Sequence, residues 1–335
     1  MKNRFPLVSV GIPTYNRPEG LRRTLECITQ QTYKNLEIII SDNCSPGPET
    51  ESVAREFMEK DYRIQYFRQP ENKCAFWACF NFKFVLEKAT GEYFMWAADD
   101  DEWDPKFIDS LVGVLDAHKN ISVAHCQTTY RLAHEKTILP TFSQGLALNS
   151  LSPSSSKRRL RCAVQENFGE LFYGIFRKNS LISDDMPGRA TVDFEHYGLI
   201  HAPLKAMSSG DAYVSRDFNF LKNVTEDVFL WTYLCAKKKS RLSTNKSIEK
   251  ILEARRNQRR RLHGETIISR LRIYLRLARS SIQWHLLFLM SALKTIGNLN
   301  IPHRDRLFFV YLIVICLLRS AFWTVATRIK WSLFF

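Results

Sequence analysis

Three apolar runs, each followed at once by a polar cluster, constrain the fold of this chain more than any other feature. Leu7-Val8-Ser9-Val10-Gly11-Ile12 stops at Pro13-Thr14-Tyr15-Asn16, and Leu36-Glu37-Ile38-Ile39-Ile40 stops at Ser41-Asp42-Asn43-Cys44-Ser45-Pro46-Gly47. Tyr93-Phe94-Met95-Trp96-Ala97-Ala98 stops at Asp99-Asp100-Asp101. Short, largely unbroken apolar runs of this kind read as strands buried on both faces. Between the first two, Leu21, Leu25 and Ile28 share one face of a helix. Helices over about residues 49–60 and 76–88 flank a further strand, Ile64-Gln65-Tyr66-Phe67. Strand alternating with helix predicts an α/β fold, a mostly parallel sheet with helices on both faces. Ligands of such sheets bind outside the carboxyl ends of the strands. Residues 13–16, 42–45 and 99–101 are therefore expected to converge at one edge.

The triplet Asp99-Asp100-Asp101 carries the chemistry. Adjacent carboxylates raise one another's pKa and repel, a conflict that a hard cation removes. Mg²⁺ or Mn²⁺, bound by carboxylate oxygens and a substrate phosphate, suits these ligands. The competing reading is a helix N-cap followed by acidic first-turn residues.

Val8-Ser9-Val10-Gly11-Ile12-Pro13-Thr14-Tyr15-Asn16-Arg17 resembles the opening of family-2 glycosyltransferases of the GT-A fold. Residues 31–45 (QTYKNLEIIISDNCS) and 89–105 (ATGEYFMWAADDDEWDP) resemble the family's next two motifs, in its order and spacing. The likeness runs through residues 5–126 and more loosely through 165–220. It implies a Rossmann-like GT-A domain, a nucleotide-sugar donor and an inverting transfer. By resemblance Pro13, Thr14 and Tyr15 line the nucleotide pocket, the Tyr15 ring stacking on the base. Asp42 and Asn43 occupy the family's usual Asp-Asp pair. Asn at the second position departs from the pattern, because it donates as well as accepts. A UDP- or dTDP-sugar is the expected donor. Asp99 would hold the ribose and Asp100 the metal that bridges the diphosphate. Asp101 would meet a metal-bound water or cap the helix that Pro105 begins. Pro105 aligns the motif.

Inverting transfer needs a base within reach of the acceptor hydroxyl. By resemblance it lies in Thr191-Val192-Asp193-Phe194-Glu195-His196, after Phe172-Tyr173-Gly174-Ile175-Phe176-Arg177. Asp193 is the chosen residue, ahead of Glu195 and the Asp184-Asp185 pair; helix N-capping is its alternative role. His196 and His201 lack the spacing of paired ligands on one helix face. Arg216 and Lys222 are candidates to balance diphosphate charge, although a solvated position is the commoner fate of such residues. No GxGxxG, Walker-type or G-x-S-x-G motif follows a strand. Eight Cys residues (27, 44, 74, 79, 126, 162, 235 and 316) show no paired CxxC spacing, which suits reduced thiols rather than a disulfide framework or zinc site.

Charge divides the chain. Residues 237–335 hold 21 Lys and Arg against 4 Asp and Glu, whereas residues 1–236 hold 27 against 30. The expected organisation is a GT-A domain over 1–236, with a nucleotide-sugar half (1–126) and an acceptor half (127–236). A basic helical region over 237–335 completes it. Such asymmetry implies an anionic partner. Ile267, Leu271, Tyr274, Leu275, Ala278 and Ile282 share a helix side flanked by Arg272, Arg276 and Arg279, the pattern of a membrane-surface helix. Leu307–Leu318 is apolar throughout but is interrupted by Arg319 and Ser320, short of the ~20 residues a spanning helix needs. It is expected to lie in, or insert partly into, a bilayer, with packing against the catalytic domain as the alternative. Ser143–Ser156, with the basic run Lys157-Arg158-Arg159-Leu160-Arg161 after it, reads as a loop near the acceptor. Met1–Pro6 is polar and the first apolar run is a strand, so no signal peptide is expected.

The reading is a metal-dependent (Mn²⁺ or Mg²⁺) inverting transferase. It acts on a saccharide or lipid-linked saccharide at the inner face of the cell membrane, in surface polysaccharide synthesis. Two rivals are a non-catalytic protein binding nucleic acid or membrane through its basic tail, and a phosphoacceptor signalling domain. The tail's apolar stretches argue against nucleic acid as the partner.

Overall fold

The computed structural model describes residues 5–72, 79–132, 151–155, 158, 168–182, 202–203, 205–207, 209–224 and 310. Eight strands form one sheet in these residues: β1 (Val8–Thr14), β2 (Leu36–Asp42), β3 (Ile64–Arg68), β4 (Tyr93–Trp96), β5 (Glu102–Trp103), β6 (Ile121–Leu132), β7 (Ile175–Arg177) and β8 (Asp211–Val224). The helices that pack among the parallel strands are α1 (Pro18–Thr29), α2 (Glu49–Lys60), α3 (Cys79–Lys88) and α4 (Phe107–Ala117). The spatial order is β3-β2-β1-β4-β7-β6-β8-β5. Strands β3, β2, β1 and β4 run parallel, as the alternating pattern predicts. Strand β7 joins the two halves through antiparallel pairing with both β4 and β6, and β8 is parallel to β6. Residue 126, the expected division between halves, lies inside β6, so both halves share a sheet.

Every residue of β1, β2 and β4 is buried. Helix α1 covers the sheet with Leu21, Leu25 and Ile28, and α3 does so with Val85 and Leu86. Strands covered on both faces cannot alternate apolar with polar residues, which is why these segments read as continuous apolar runs. The strands extend further than the hydropathy pattern suggests: β1 includes Pro13 and Thr14, and β2 includes Ser41 and Asp42. Asn81 of α3 holds this polar continuation. Its side-chain amide donates to Ser41 O (3.0 Å) and Thr14 O (3.3 Å) and accepts from Ser41 Oγ (3.0 Å).

The chain leaves β1 for β2 and β3 on one side, then crosses to β4 on the other. The β1/β4 junction is therefore a topological switch point, where an open α/β sheet has its crevice. Aromatic packing supports β4 there: Trp96 stacks on Phe172 (4.4 Å between centroids, 10° between planes) and donates from Nε1 to Phe82 O (2.9 Å).

Candidate active site

The three polar clusters meet at the carboxyl edge of the sheet. Thr14 Oγ1 donates to Asp99 Oδ2 (2.8 Å), closing the crevice between β1 and β4. Asn43 N donates to Thr14 O (3.0 Å), and Asn16 N donates to Ser45 Oγ (2.8 Å), which ties the end of β2 to the end of β1. Asn16 (φ 52°) and Cys44 (φ 61°) both adopt the left-handed conformation where the chain turns out of β1 and β2. Asn tolerates that region better than most residues. Cys44 is the strained position, and the hydrogen bonds around it hold it there.

Asp42 is fully buried and occupied within the protein. Its Oδ1 accepts from Ser45 N (3.0 Å) and Ser45 Oγ (2.6 Å), while Oδ2 accepts from Tyr66 OH (2.8 Å) and faces Arg68 Nη1 at 3.6 Å. Burial, then the bond to Asp42, raises the Tyr66 phenol pKa. Asp42 thus shapes the 43–47 loop. Its neighbour Asn43, also buried, donates from Nδ2 to Asn72 Oδ1 (2.8 Å). Pro13 is buried within β1, whereas the Tyr15 ring is 42% exposed at the crevice mouth.

The three aspartates have three environments. Asp99 is buried, and that burial pushes its carboxyl up to about 6, against the opposing pull of Arg17 and Thr14. Asp100 has a half-open side chain, 39% exposed. Asp101 is buried and its Oδ1 accepts from Asn223 N of β8 (3.1 Å). Asp101 does not cap α4: Lys106 stands at that position, and Asp104 Oδ1 accepts from Lys106 N (2.8 Å) instead. The helix starts at Phe107, two residues after Pro105.

Arg17 bridges the first two carboxylates. Its Nη1 lies 3.2 Å from Asp99 Oδ1 and 2.8 Å from Asp100 Oδ2. Helix α1 delivers it. The Arg17 carbonyl accepts from Leu21 N (2.9 Å), Pro18 occupies the first turn, and Thr24 Oγ1 donates to Ala98 O (3.0 Å). Gly20 permits this docking, since a Cβ there would sit 2.0 Å from the Asp99 carbonyl oxygen. The positive end of the α1 dipole therefore abuts the triplet.

Sequence reasoning passed over Arg17, Asn81 and Asn223. Asn223 Nδ2 donates to Asp100 O (2.5 Å) and its Oδ1 accepts from Arg131 Nε (2.8 Å). Arg131 in turn pairs with Glu102. A strand residue 122 positions beyond Asp101 thus supports the aspartate loop, and no local pattern announces that. Lys222 lies over the Tyr173 ring (4.2 Å), and Arg216 is exposed on β8. Asp193, Glu195, Asp184, Asp185, His196 and His201 lie outside the described residues, as do residues 143–150, 267–282 and 307–309 with 311–318.

The residues present fit a divalent ion. A buried carboxylate disfavouring its own charge, beside a half-open one, attracts a cation. Among the described residues no group of three or more His, Cys, Asp or Glu could enclose one. A Mg²⁺-like ion needs only one or two carboxylates and completes its shell with substrate phosphates and water.

Residues 9–188, more than half of the chain, match the family model described as Glycosyl transferase family 2. The GalNAc(5)-diNAcBac-PP-undecaprenol beta-1,3-glucosyltransferase of Campylobacter jejuni is 31% identical over 177 residues, covering 53% of this chain and 53% of that protein. A putative colanic acid biosynthesis glycosyl transferase of Escherichia coli K12, WcaA, is 35% identical over 127 residues, 37% of this chain and 42% of its own length. With an uncharacterized glycosyltransferase of Rickettsia bellii the match spans only 16% of that protein, at 31% identity and 35% of this chain. The chain therefore spans about half, or less, of the curated relatives it matches. The crystal structure of S. aureus TarS residues 1–349 with UDP-GlcNAc shares the fold, with a TM-score of 0.56 at 12% identity over 95% of this chain and 72% of that one.

Proposed function

The chain belongs to glycosyl transferase family 2, and from that membership we propose a metal-dependent inverting glycosyltransferase that uses a nucleotide-diphosphate sugar. The observation that carries the reading is the Thr14–Asp99–Asp100–Arg17 constellation at the β1/β4 switch point. Tyr15 supplies an exposed ring for a base, with Pro13 and Asn43 beside it. Asp42 keeps the 43–47 loop in shape. The donor is a UDP- or dTDP-sugar, by the resemblance of the Asp42-Asn43 pair to the family's base-contacting pair, Asn carrying a carbonyl acceptor as well as N–H donors. Asp99 takes the ribose, and Asp100 holds Mn²⁺ or Mg²⁺, with Asp101 behind it. Held there, such an ion would supply positive charge to the departing diphosphate.

Asp193 removes the proton from the acceptor hydroxyl as its oxygen bonds to the anomeric carbon and the bond to the diphosphate breaks. The acceptor is a saccharide or a lipid-linked saccharide in surface polysaccharide synthesis. The Campylobacter relative is named for an undecaprenol-linked one. Residues 237–335 bring the enzyme to the anionic inner face of the membrane, a role supported by their basic and amphipathic composition.

The test is a panel of sugar nucleotides screened for thermal stabilisation with and without Mn²⁺, since a ligand of the native state raises its stability. A UDP- or dTDP-sugar that stabilises only with metal is the expected hit. Stabilisation by none of them would refute the reading.

A further inference from the structure

Arg17 is the candidate the family motifs leave unexplained. It uses one nitrogen, Nη1, for both aspartates, and its side chain is 55% exposed. Guanidinium carries five N–H donors in a planar fork. Nε and Nη2 have no hydrogen-bond partner among the described residues, so most of that fork stays available. Its base is nevertheless held: Arg17 is the N-cap of α1, and the helix is seated on Asp99 through Gly20 and on Ala98 through Thr24. An anchored, half-used guanidinium beside a helix N-terminus matches what a diphosphate requires: bidentate donors and positive potential.

The same nitrogen stands where a cation would act on Asp100. Its bond to Asp100, although the shorter, is the more exposed of the two, so water and a cation can exchange there more readily. Asp99, by contrast, is buried and also held by Thr14.

Building on the donor-site reading above, we propose that Arg17 is the site's own counter-ion and later its diphosphate clamp. In the ligand-free protein its single positive charge is shared between Asp99 and Asp100 and offsets part of their mutual repulsion. On donor binding it yields Asp100 to the divalent ion and turns its free N–H groups to the diphosphate oxygens. Arg17 thus competes with the metal in the absence of nucleotide and assists nucleotide binding in its presence. A merely structural Arg17 would help both ligands or neither.

The experiment uses full-length protein and the variants Arg17→Ala, Arg17→Lys and Asp100→Asn. Mn²⁺ binding without nucleotide is followed by electron paramagnetic resonance of the free ion. UDP binding in excess chelator is followed by calorimetry. Arg17→Ala is expected to bind Mn²⁺ roughly threefold to tenfold more tightly, the range of a partly exposed ion pair removed. It is expected to bind metal-free UDP roughly tenfold more weakly, the loss of a charge-assisted contact. Arg17→Lys, which keeps the charge but loses the fork, should fall between Arg17→Ala and wild type for UDP.

Mn²⁺ affinity that is unchanged or weaker in Arg17→Ala overturns the counter-ion role, and unchanged UDP affinity overturns the clamp. If Arg17→Ala does not fold, Arg17→Gln is read by the same two outcomes. Asp100→Asn separates the two levels of inference. Wild-type protein that binds Mn²⁺ in the presence of UDP no better than Asp100→Asn would sink the donor-site reading itself. Loss of Mn²⁺ in Asp100→Asn, with wild-type behaviour of Arg17→Ala, would sink the Arg17 proposal alone.

Discussion

Replacing Gly20 with alanine sets helix propensity against packing, and the structure says which wins. Gly20 is in the first turn of α1, where alanine is favoured over glycine by about 1 kcal/mol on propensity alone. The new Cβ would lie 2.0 Å from the Asp99 carbonyl oxygen, 3.2 Å from its carbon and 3.7 Å from Arg17 Cβ. Reaching an ordinary carbon–oxygen contact requires α1 or Asp99 to retreat by at least ~1 Å. Both are backbone, so no flexible side-chain tip can absorb the shift. Overpacking of this kind costs about 1–3 kcal/mol, and the Thr24–Ala98 bond (3.0 Å) adds about 1 kcal/mol if it stretches.

The net expectation is a loss of roughly 1–3 kcal/mol, which lowers Tm by several degrees, at about 2–4 °C per kcal/mol for a domain of this size. Because the retreat separates Arg17 from Asp99, metal-dependent UDP binding should weaken at least tenfold. Gly113→Ala is the control: Gly113 is a helical position on α4 where a Cβ meets nothing within 4 Å, so propensity alone should stabilise it. Thermal unfolding and calorimetric UDP titration of both variants test the argument. A Gly20→Ala protein as stable as Gly113→Ala, with wild-type donor affinity, would refute it.

Four further outcomes are expected. Asp99, raised by burial to about 6 from an ordinary 3.8, holds its proton more tightly in the folded than in the unfolded chain. Its contribution to stability is therefore greatest below about pH 4 and declines by on the order of 2–3 kcal/mol as pH rises to about 6, while metal-dependent donor binding moves the other way. Comparing wild type with Asp99→Asn across that range by unfolding and by UDP–Mn²⁺ titration checks both signs; parallel trends would be inconsistent with this assignment. Asn223→Ala removes the donor to Asp100 O and the acceptor for Arg131, and should cost about 1–3 kcal/mol in denaturant unfolding and weaken metal-dependent UDP binding. Unaltered UDP affinity would make it purely structural. Asp193→Asn should retain donor affinity and lose turnover by on the order of 10²-fold or more, with Glu195→Gln milder, as steady-state kinetics can measure; a fully active Asp193→Asn enzyme would move the base elsewhere. Deleting residues from 263 onward should release the protein from anionic vesicles in flotation while UDP binding persists, and release by high salt should be only partial for the full chain because salt screens arginine contacts but not apolar insertion. A full-length chain that ignores vesicles would count against the membrane role.

The sequence by itself determined the parallel core, because strands buried on both faces must be apolar throughout and the helices between them must carry a single apolar stripe. It also marked the three strand ends, where a polar cluster directly follows each apolar run. What it left open was how each polar residue is used. Asp42, Asp99, Asp100 and Asp101 are equivalent as letters, yet the fold consumes Asp42 in a loop, buries Asp99 beside Thr14, leaves Asp100 half open and turns Asp101 to β8. Asp42 finds its partners Ser45 and Tyr66 within 24 residues, but the other distinctions come from contacts made by α1 and β8, at separations of 82 residues for Arg17 and Asp99 and 122 for Asn223 and Asp101. Periodicity reports only a residue's own element. Electrostatic environment depends on which distant elements arrive beside it, so the aspartates' roles, and that of Arg17 between two of them, became legible only in three dimensions.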